Sequence, residues 1–219
     1  MRVLYLHGFA SSARSSKGAF FSSKLSASGV TLETPDFNEP DFSTLTITRM
    51  VEQVERDIDA RQPRRATLIG SSLGGFVAVL VATRRPDAID RLVLLAPALD
   101  FGGNRMRTLG DRGLEEWKQT NRLDVFHYAY GRVMPVHYEL YADARKYDAL
   151  NARVTIPVQV FQGTRDTAVD PSTVERWSST RDNVEWHMLD DDHQLLTSLE
   201  YIWREMSRFL ALPSLPANT

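Results

Sequence analysis

Ser72 stands in the pentapeptide Gly70-Ser71-Ser72-Leu73-Gly74, between the short apolar run Ala66-Thr67-Leu68-Ile69 and a longer one from Gly75 to Arg85. A strand that turns sharply into a helix strains the residue at the bend and crowds its neighbours. Small residues two positions to either side leave room and lift the serine hydroxyl above the sheet edge. The candidate nucleophile is therefore Ser72 and not Ser71. A serine hydroxyl is a poor nucleophile at neutral pH; it needs a base, most often a histidine whose ring a carboxylate orients.

The 219 residues contain five histidines, so the search for that base is short. His7 follows the first apolar run, His127 and His137 fall in an aromatic-rich segment, and His187 alternates with apolar neighbours as a structural residue would. His193 comes after the last strand pattern and before the last helix pattern, at the same sheet edge as the Ser72 turn. It is the candidate base, against the plainer reading of a surface histidine after the acidic run Asp190-Asp191-Asp192.

The carboxylate is expected on another loop of that edge, between serine and histidine in chain order. The run Val158-Gln159-Val160-Phe161 leads into Gln162-Gly163-Thr164-Arg165-Asp166, which places Asp166 there. Asp170 precedes Pro171 and reads instead as a helix cap, while Asp190 to Asp192 are too near His193 in sequence to approach its ring from the right side. An oxyanion formed in acyl transfer needs two N–H donors. Leu73, after the nucleophile, supplies one candidate, and Phe9 in the loop His7-Gly8-Phe9-Ala10 the other; His7 then serves as scaffold.

These residues need a frame that brings their loops together. Short apolar runs at 3–6, 30–34, 66–69, 91–96, 156–161 and 184–189 alternate with helical patterns at 20–28, 43–61, 75–85, from about 171, and 195–210. That rhythm predicts an α/β fold with a mostly parallel sheet of about six strands and helices on both faces. The segment 101–153 breaks the rhythm and is rich in aromatics and arginine. It is expected to be a helical lid inserted into a core of 1–100 and 154–219, with Trp117, Phe126 and Tyr128 as candidate pocket residues. A pair of helices packed on the sheet edge is the alternative. The tail from Pro213 to Thr219 is expected to fray.

Bulk composition narrows the function classes. A net charge of −2 gives no reason to expect nucleic acid or an anionic membrane as partner. With no cysteine, disulfides, thiolate catalysis and cysteine-ligated zinc are excluded. The opening run is too short for a signal peptide, and the longest apolar stretch, Phe76 to Ala82, is too short to span a bilayer. A soluble cytoplasmic protein, monomer or homodimer, is the expectation. The first strand leads to His-Gly-Phe and not to a dinucleotide-binding glycine turn.

Ser72, Asp166 and His193 in that order, with His7-Gly8-Phe9 after the first strand, resemble the α/β-hydrolase superfamily. The stretch from Tyr5 through Ser11, Ser12, Ser15 and Ser16 to Lys17 more closely resembles the small bacterial YqiA/YcfP-type esterases, as do Thr164, Asp166 and Asp170 after the later strand. The likeness spans residues 1–100 and 154–211. It implies an α/β-hydrolase fold and hydrolysis of a small-molecule ester or thioester without metal or organic cofactor. It also implies that two strands opening larger members are missing here. Residues 101–153 match poorly, and substrate preference is set there. A carboxylesterase for small to medium acyl groups is expected. An acyl-CoA thioesterase using Arg14 and Lys17 on phosphates, and a catalytically silent binding module, are the alternatives. Haloalkane dehalogenation is disfavoured, because that relative has an aspartate where Ser72 stands.

Overall fold

The computed structural model describes residues 1–63, 65–101, 103 and 109–212. The tail from Pro213 and residues 102 and 104–108 of the expected insertion lie outside the described residues. Six strands form one sheet: β1 (Val3–Leu6), β2 (Leu32–Glu33), β3 (Ala66–Ser71), β4 (Ile89–Leu95), then β7 (Val158–Gly163) and β8 (Val184–Leu189). Their order is β2-β1-β3-β4-β7-β8, with each neighbouring pair parallel. The chain steps outward from β1 to β2, then returns to the other side of β1 as β3. That reversal opens a crevice at the carboxyl ends of β1 and β3, where α/β sheets bind ligands. Leu6 pairs with Gly70 in register, so the loops carrying Phe9 and Ser72 leave the sheet side by side.

The period of two along each strand divides the core. Leu4, Leu6, Leu92, Leu94 and Val160 face one layer; Val3, Tyr5, Val93, Leu95 and Phe161 face the other. The first layer is covered by α2 (Ile47–Ala60), α3 (Leu73–Arg84) and α6 (Pro171–Ser179); the second by α1 (Ser16–Ala27) and α7 (Leu199–Phe209). The helix α2 presents Ile47, Met50, Val51, Val54 and Ile58 at helical spacing, all buried. Burial runs unbroken from Leu73 to Ala82 in α3, the signature of a helix enclosed on all sides. Truncating a residue such as Leu94 in such a core costs about 2–5 kcal/mol.

Helix α1 begins at Ser16, four residues before the apolar pattern at Phe20 that marks it in the sequence. Ser15 caps it, its hydroxyl accepting the Gly18 N–H at 3.2 Å. The segment 101–153 holds α4 (Gly110–Thr120) and α5 (Glu139–Ala144). Between them runs an antiparallel hairpin of β5 (Leu123–His127) and β6 (Arg132–Val136), which the sequence reading did not anticipate. Gly131, with φ of 63°, lets the chain reverse there.

The insertion is fastened to the core. The His137 N–H donates to Ser43 O at 2.9 Å, in the short turn before α2. Asp143 of α5, nearly buried, accepts from the N–H of Thr48 at 2.7 Å and its hydroxyl at 2.8 Å, satisfying the first turn of α2. Burial opposes ionisation of Asp143, but these bonds and one from Lys146 outweigh it and hold its carboxyl below the usual range.

Candidate active site

The turn from β3 to α3 puts Ser72 at φ 53° and ψ −116°, a strained conformation for a non-glycine residue. Neighbouring backbone holds it there. The Ser72 N–H donates to Leu95 O at 2.9 Å, and Ser72 O accepts from Gly75 N at 2.9 Å and Ala98 N at 3.1 Å. A side chain at Gly74 would drive a Cβ into the backbone of Leu6 and His7, so only glycine lets α3 pass so close to β1.

From this turn a continuous chain of hydrogen bonds runs across three loops. His193 Nε2 lies 3.1 Å from Ser72 Oγ, and His193 Nδ1 lies 2.8 Å from Asp166 Oδ2. An ionised carboxylate only accepts, so the ring proton sits on Nδ1 and the lone pair of Nε2 faces the serine hydroxyl. Asp166 is buried, which disfavours its charge. The hydrogen bond from His193, the N–H of Val169 and the Gln162 amide more than compensate, and the carboxyl is held below its ordinary value. The Ala168 N–H donates to it as well, at 2.8 Å.

Asp170 takes no part in that chain. Its carboxylate accepts from the N–H and hydroxyl of Ser172 and caps α6. The acidic run before His193 shapes the loop. Asp191 accepts the Ser198 N–H at 2.9 Å, and Asp192 accepts the Gln194 N–H at 2.7 Å.

Phe9 and Leu73 lie at the crevice between β1 and β3. Leu73 opens α3, where a helix leaves its first N–H groups without an intrahelical acceptor. Among the described residues the Phe9 N–H likewise finds no acceptor within the protein. Its ring packs near Phe42 and Phe101, at centroid distances of 5.6 and 6.4 Å, forming an aromatic wall beside the crevice. His7 is buried and holds the loop: Nδ1 lies 2.9 Å from Gly8 O, and Nε2 accepts the Phe37 N–H at 3.0 Å.

The hairpin grips this same loop. The Tyr128 N–H donates to Ala10 O at 3.0 Å, one residue beyond Phe9. His127, fully buried, lies with Nε2 3.1 Å from Asn38 Oδ1, and the Asn38 amide donates to Ser11 O at 2.9 Å. Burial, then the nearby charge of His7, push the His127 pKa down. Sequence reasoning missed Asn38 and His127; a histidine in an unpatterned segment carries no sign of its burial.

The expected pocket residues fare differently. Trp117 is 1% exposed, donates its indole N–H to Val136 O at 2.8 Å and packs on Tyr138 and Tyr141. It is core of the insertion and leaves no face for a ligand, a correction to the sequence expectation. Phe126 and Tyr128 are 50% and 76% exposed and meet edge to face at 5.4 Å. A cleft of about 490 Å³ opens instead between the end of β4 and α5, lined by Leu99, Asp100, Tyr141, Arg145, Tyr147 and their neighbours. None of Ser72, Asp166 and His193 lines it.

Lys17 departs from the phosphate-contact expectation too: it is buried with its ammonium on Gln194 O, whereas Arg14 is exposed. Among the described residues no group of three or more histidine, aspartate and glutamate side chains is placed to hold a metal ion. Among the same residues no helix is long and apolar enough to cross a membrane.

Comparison with known proteins places the chain in a family. The chain is 32% identical over 130 residues to the biotin biosynthesis bifunctional protein BioHC of Teredinibacter turnerae, a match covering 57% of this chain and 22% of that protein. It therefore aligns with under a quarter of that relative's length. Among solved structures it resembles Est1E from Butyrivibrio proteoclasticus, described with ferulic acid bound, at TM-score 0.81 and 20% identity over 95% of this chain and 87% of that one. Mouse alpha/beta hydrolase domain-containing protein 10 superposes at TM-score 0.80 with 18% identity, over 95% and 89% of the two chains. A monoacylglycerol lipase from Paleococcus ferrophilus gives 0.76 at 16% identity, over 95% and 93%. Identities of this size speak for the fold alone, which is that of the α/β hydrolases. The family described as uncharacterised protein family UPF0227 matches residues 2–211, and the chain belongs to it.

Proposed function

We propose that the protein is a serine hydrolase that cleaves carboxylic esters of small to medium acyl groups. The observation that carries this reading is the hydrogen-bonded line Ser72–His193–Asp166. It runs beside a crevice edged by the N–H groups of Phe9 and Leu73. As the ester carbonyl enters, Ser72 Oγ attacks its carbon while His193 Nε2 takes the hydroxyl proton. The electron pair of the carbonyl moves onto oxygen, where the two backbone N–H groups stabilise it. Collapse of the tetrahedral species breaks the ester C–O bond, and His193 returns its proton to the departing alcohol. Water then repeats the sequence on the acyl-Ser72 ester and releases the acid. Asp166 holds the ring in the productive tautomer and steadies the imidazolium throughout.

The names of Est1E and of the monoacylglycerol lipase agree with ester chemistry, as does the family resemblance in the sequence. The insertion 101–153 serves in this reading as the cap beside the site, with Phe126 and Tyr128 at its outer rim. The aromatic wall of Phe9, Phe42 and Phe101 suits an apolar acyl chain. The thioesterase alternative loses its support at Lys17, whose ammonium is engaged inside the protein. An intact hydrogen-bonded line also speaks against a silent binding module.

Hydrolysis of p-nitrophenyl acetate and butyrate tests the proposal. The Ser72→Ala variant is expected to lose about 10⁴-fold or more in kcat. A fluorophosphonate probe should label Ser72 in the folded protein. Retention of most activity in the variant, or no labelling, overturns the reading.

A further inference from the structure

Lys17 is a costly residue where it stands. Its side chain is buried, with 7% of the residue exposed, and lysine is almost never buried without a partner. It sits in the first turn of α1, where the helix dipole disfavours a cation. Its ammonium donates to Gln194 O at 2.9 Å across 177 residues of chain. No carboxylate lies within ion-pair distance among the described residues, although Asp166, Asp192 and Asp191 are near enough to attract it. Asp166 has its own four donors. The cation is therefore not the carboxylate's necessary partner. Burial disfavours the charge of this cation, and its hydrogen bond goes to the loop that carries His193.

We propose that Lys17 is a positioning residue for the general base: its ammonium fastens the carbonyl of Gln194, and with it the imidazole of His193, to the helix that follows the oxyanion loop. This rests on the serine-hydrolase reading above. The loop carrying Phe9 runs from β1 into α1, and Ser15 at the cap of α1 donates to Tyr5 Oη at 3.3 Å, seating the helix on β1. One side chain thus ties the loop that presents the base to the helix into which the loop of Phe9 runs. A displacement of about 1 Å between such groups costs on the order of 10²-fold in rate.

Burial pushes the Lys17 ammonium down to about 8, against the pull of Asp166, Asp192 and Asp191. His193 lies on the same loop and Tyr5 on β1, where burial pushes its hydroxyl up; α7, packed on α1, carries Tyr201, Arg204, Glu205 and Arg208 as well. Glu200 of α7 is engaged by Lys24 at 2.8 Å. Above about pH 8 the folded protein sheds the Lys17 proton while the unfolded chain keeps it up to its ordinary value of 10.5. The unfolded state then binds more protons, so this contribution to stability rises with pH across that window. Activity falls across the same window, because a neutral amine donates more weakly. Stability and rate move in opposite directions, which no alkaline unfolding would produce.

The test measures kcat and KM for p-nitrophenyl butyrate from pH 6 to 10, beside thermal melts, in wild type, Lys17→Met, Lys17→Arg and Ser72→Ala. In Lys17→Met, kcat is expected to fall about tenfold or more with KM within about threefold, while Tm stays level or rises. Its pH profile should lack the wild-type decline above about pH 8. Lys17→Arg, charged throughout, should recover part of the rate and move that decline to higher pH. Wild-type kcat in Lys17→Met, or a rate loss matched by a fall in Tm, overturns the positioning role. Should Lys17→Met fail to fold, the role is overturned by a wild-type profile without the decline, or by one unchanged in Lys17→Arg. Activity that survives Ser72→Ala overturns the serine reading and this role with it. Loss in Ser72→Ala beside an unaffected Lys17→Met overturns the role alone.

Discussion

The loop cluster at the strand ends and the insertion at 101–153 are built on opposite terms. In the cluster, Ser72, Asp166 and His193 each follow a strand of one parallel sheet, and the register of that sheet sets their separations. In the segment 101–153, Trp117, Val136, Leu140 and Ala144 join the apolar cluster of the sheet's first layer, and long-range bonds fix its edges: Tyr128 N–H on Ala10 O, His127 on Asn38, Asp143 on Thr48. The first region inherits its geometry from a cooperative lattice of backbone bonds. The second depends on side-chain packing and a few long-range bonds, of which those of His127 and Asp143 run through side chains that a substitution can remove. Two of those tethers converge on the loop of Phe9, so the less regular region reaches the reacting edge through a few contacts.

The comparison breaks most directly at the cluster. Replacing His193 by Ala is expected to lower kcat about 10⁴-fold, and Asp166→Asn about 10³–10⁴-fold, with KM little changed. Assays on p-nitrophenyl butyrate check both, and losses under tenfold would show that the lattice does not organise the chemistry. Next in size is Asn38→Ala, which releases both Ser11 O and His127. It should cost about 10–100-fold in kcat by loosening the oxyanion loop, read alongside weaker binding of a boronic-acid transition-state analogue. An unchanged kcat would sever the insertion from catalysis.

Asp143→Ala leaves Thr48 N–H and its hydroxyl without this partner. It should cost about 1–3 kcal/mol in denaturant unfolding with kcat within about twofold. Acid acts in the same direction. The carboxyls of Asp143 and Asp166 are held below their ordinary value of 3.8. Their contribution to stability is present above that value and is lost as pH falls through and below it. Urea midpoints measured from pH 6 to 2.5 should therefore decline, and less steeply in Asp143→Asn. The smallest effect belongs to Phe126→Ser and Tyr128→Ser. Both side chains are exposed, so Tm should hold within about 2 °C while KM rises only for the longer acyl esters. A change on acetate as large as on longer esters would argue against a rim role.

The difference between the regions also explains what could be read in advance. Asp166 and His193 were legible because each follows a short apolar run, and a parallel sheet obliges the ends of such runs to share an edge. The hairpin β5–β6 was not, since Phe126 on the exposed face and Pro135 interrupt its pattern and a two-stranded sheet has little apolar face to advertise. Gly131 between Val125-Phe126 and Val133-Met134 was the signal that could have found it. Trp117 looked like a pocket residue because an aromatic in an irregular segment gives no hint of which way it faces. Lys17 was misread for the same reason, as a solvated or phosphate-binding cation.

By itself the sequence determined the order of the six sheet strands and their covering helices, the strained turn at Ser72, and which loops carry His193 and Asp166. Those follow from local rules: the period of side chains, the size of glycine, the need of a helix for a cap. Tertiary structure alone decided that Lys17 is buried against the His193 loop, that Asn38 and His127 join the hairpin to Phe9, and that Trp117 faces inward. These contacts close over tens to nearly two hundred residues, and whether a polar side chain meets water or a carbonyl depends on what the rest of the chain brings to it.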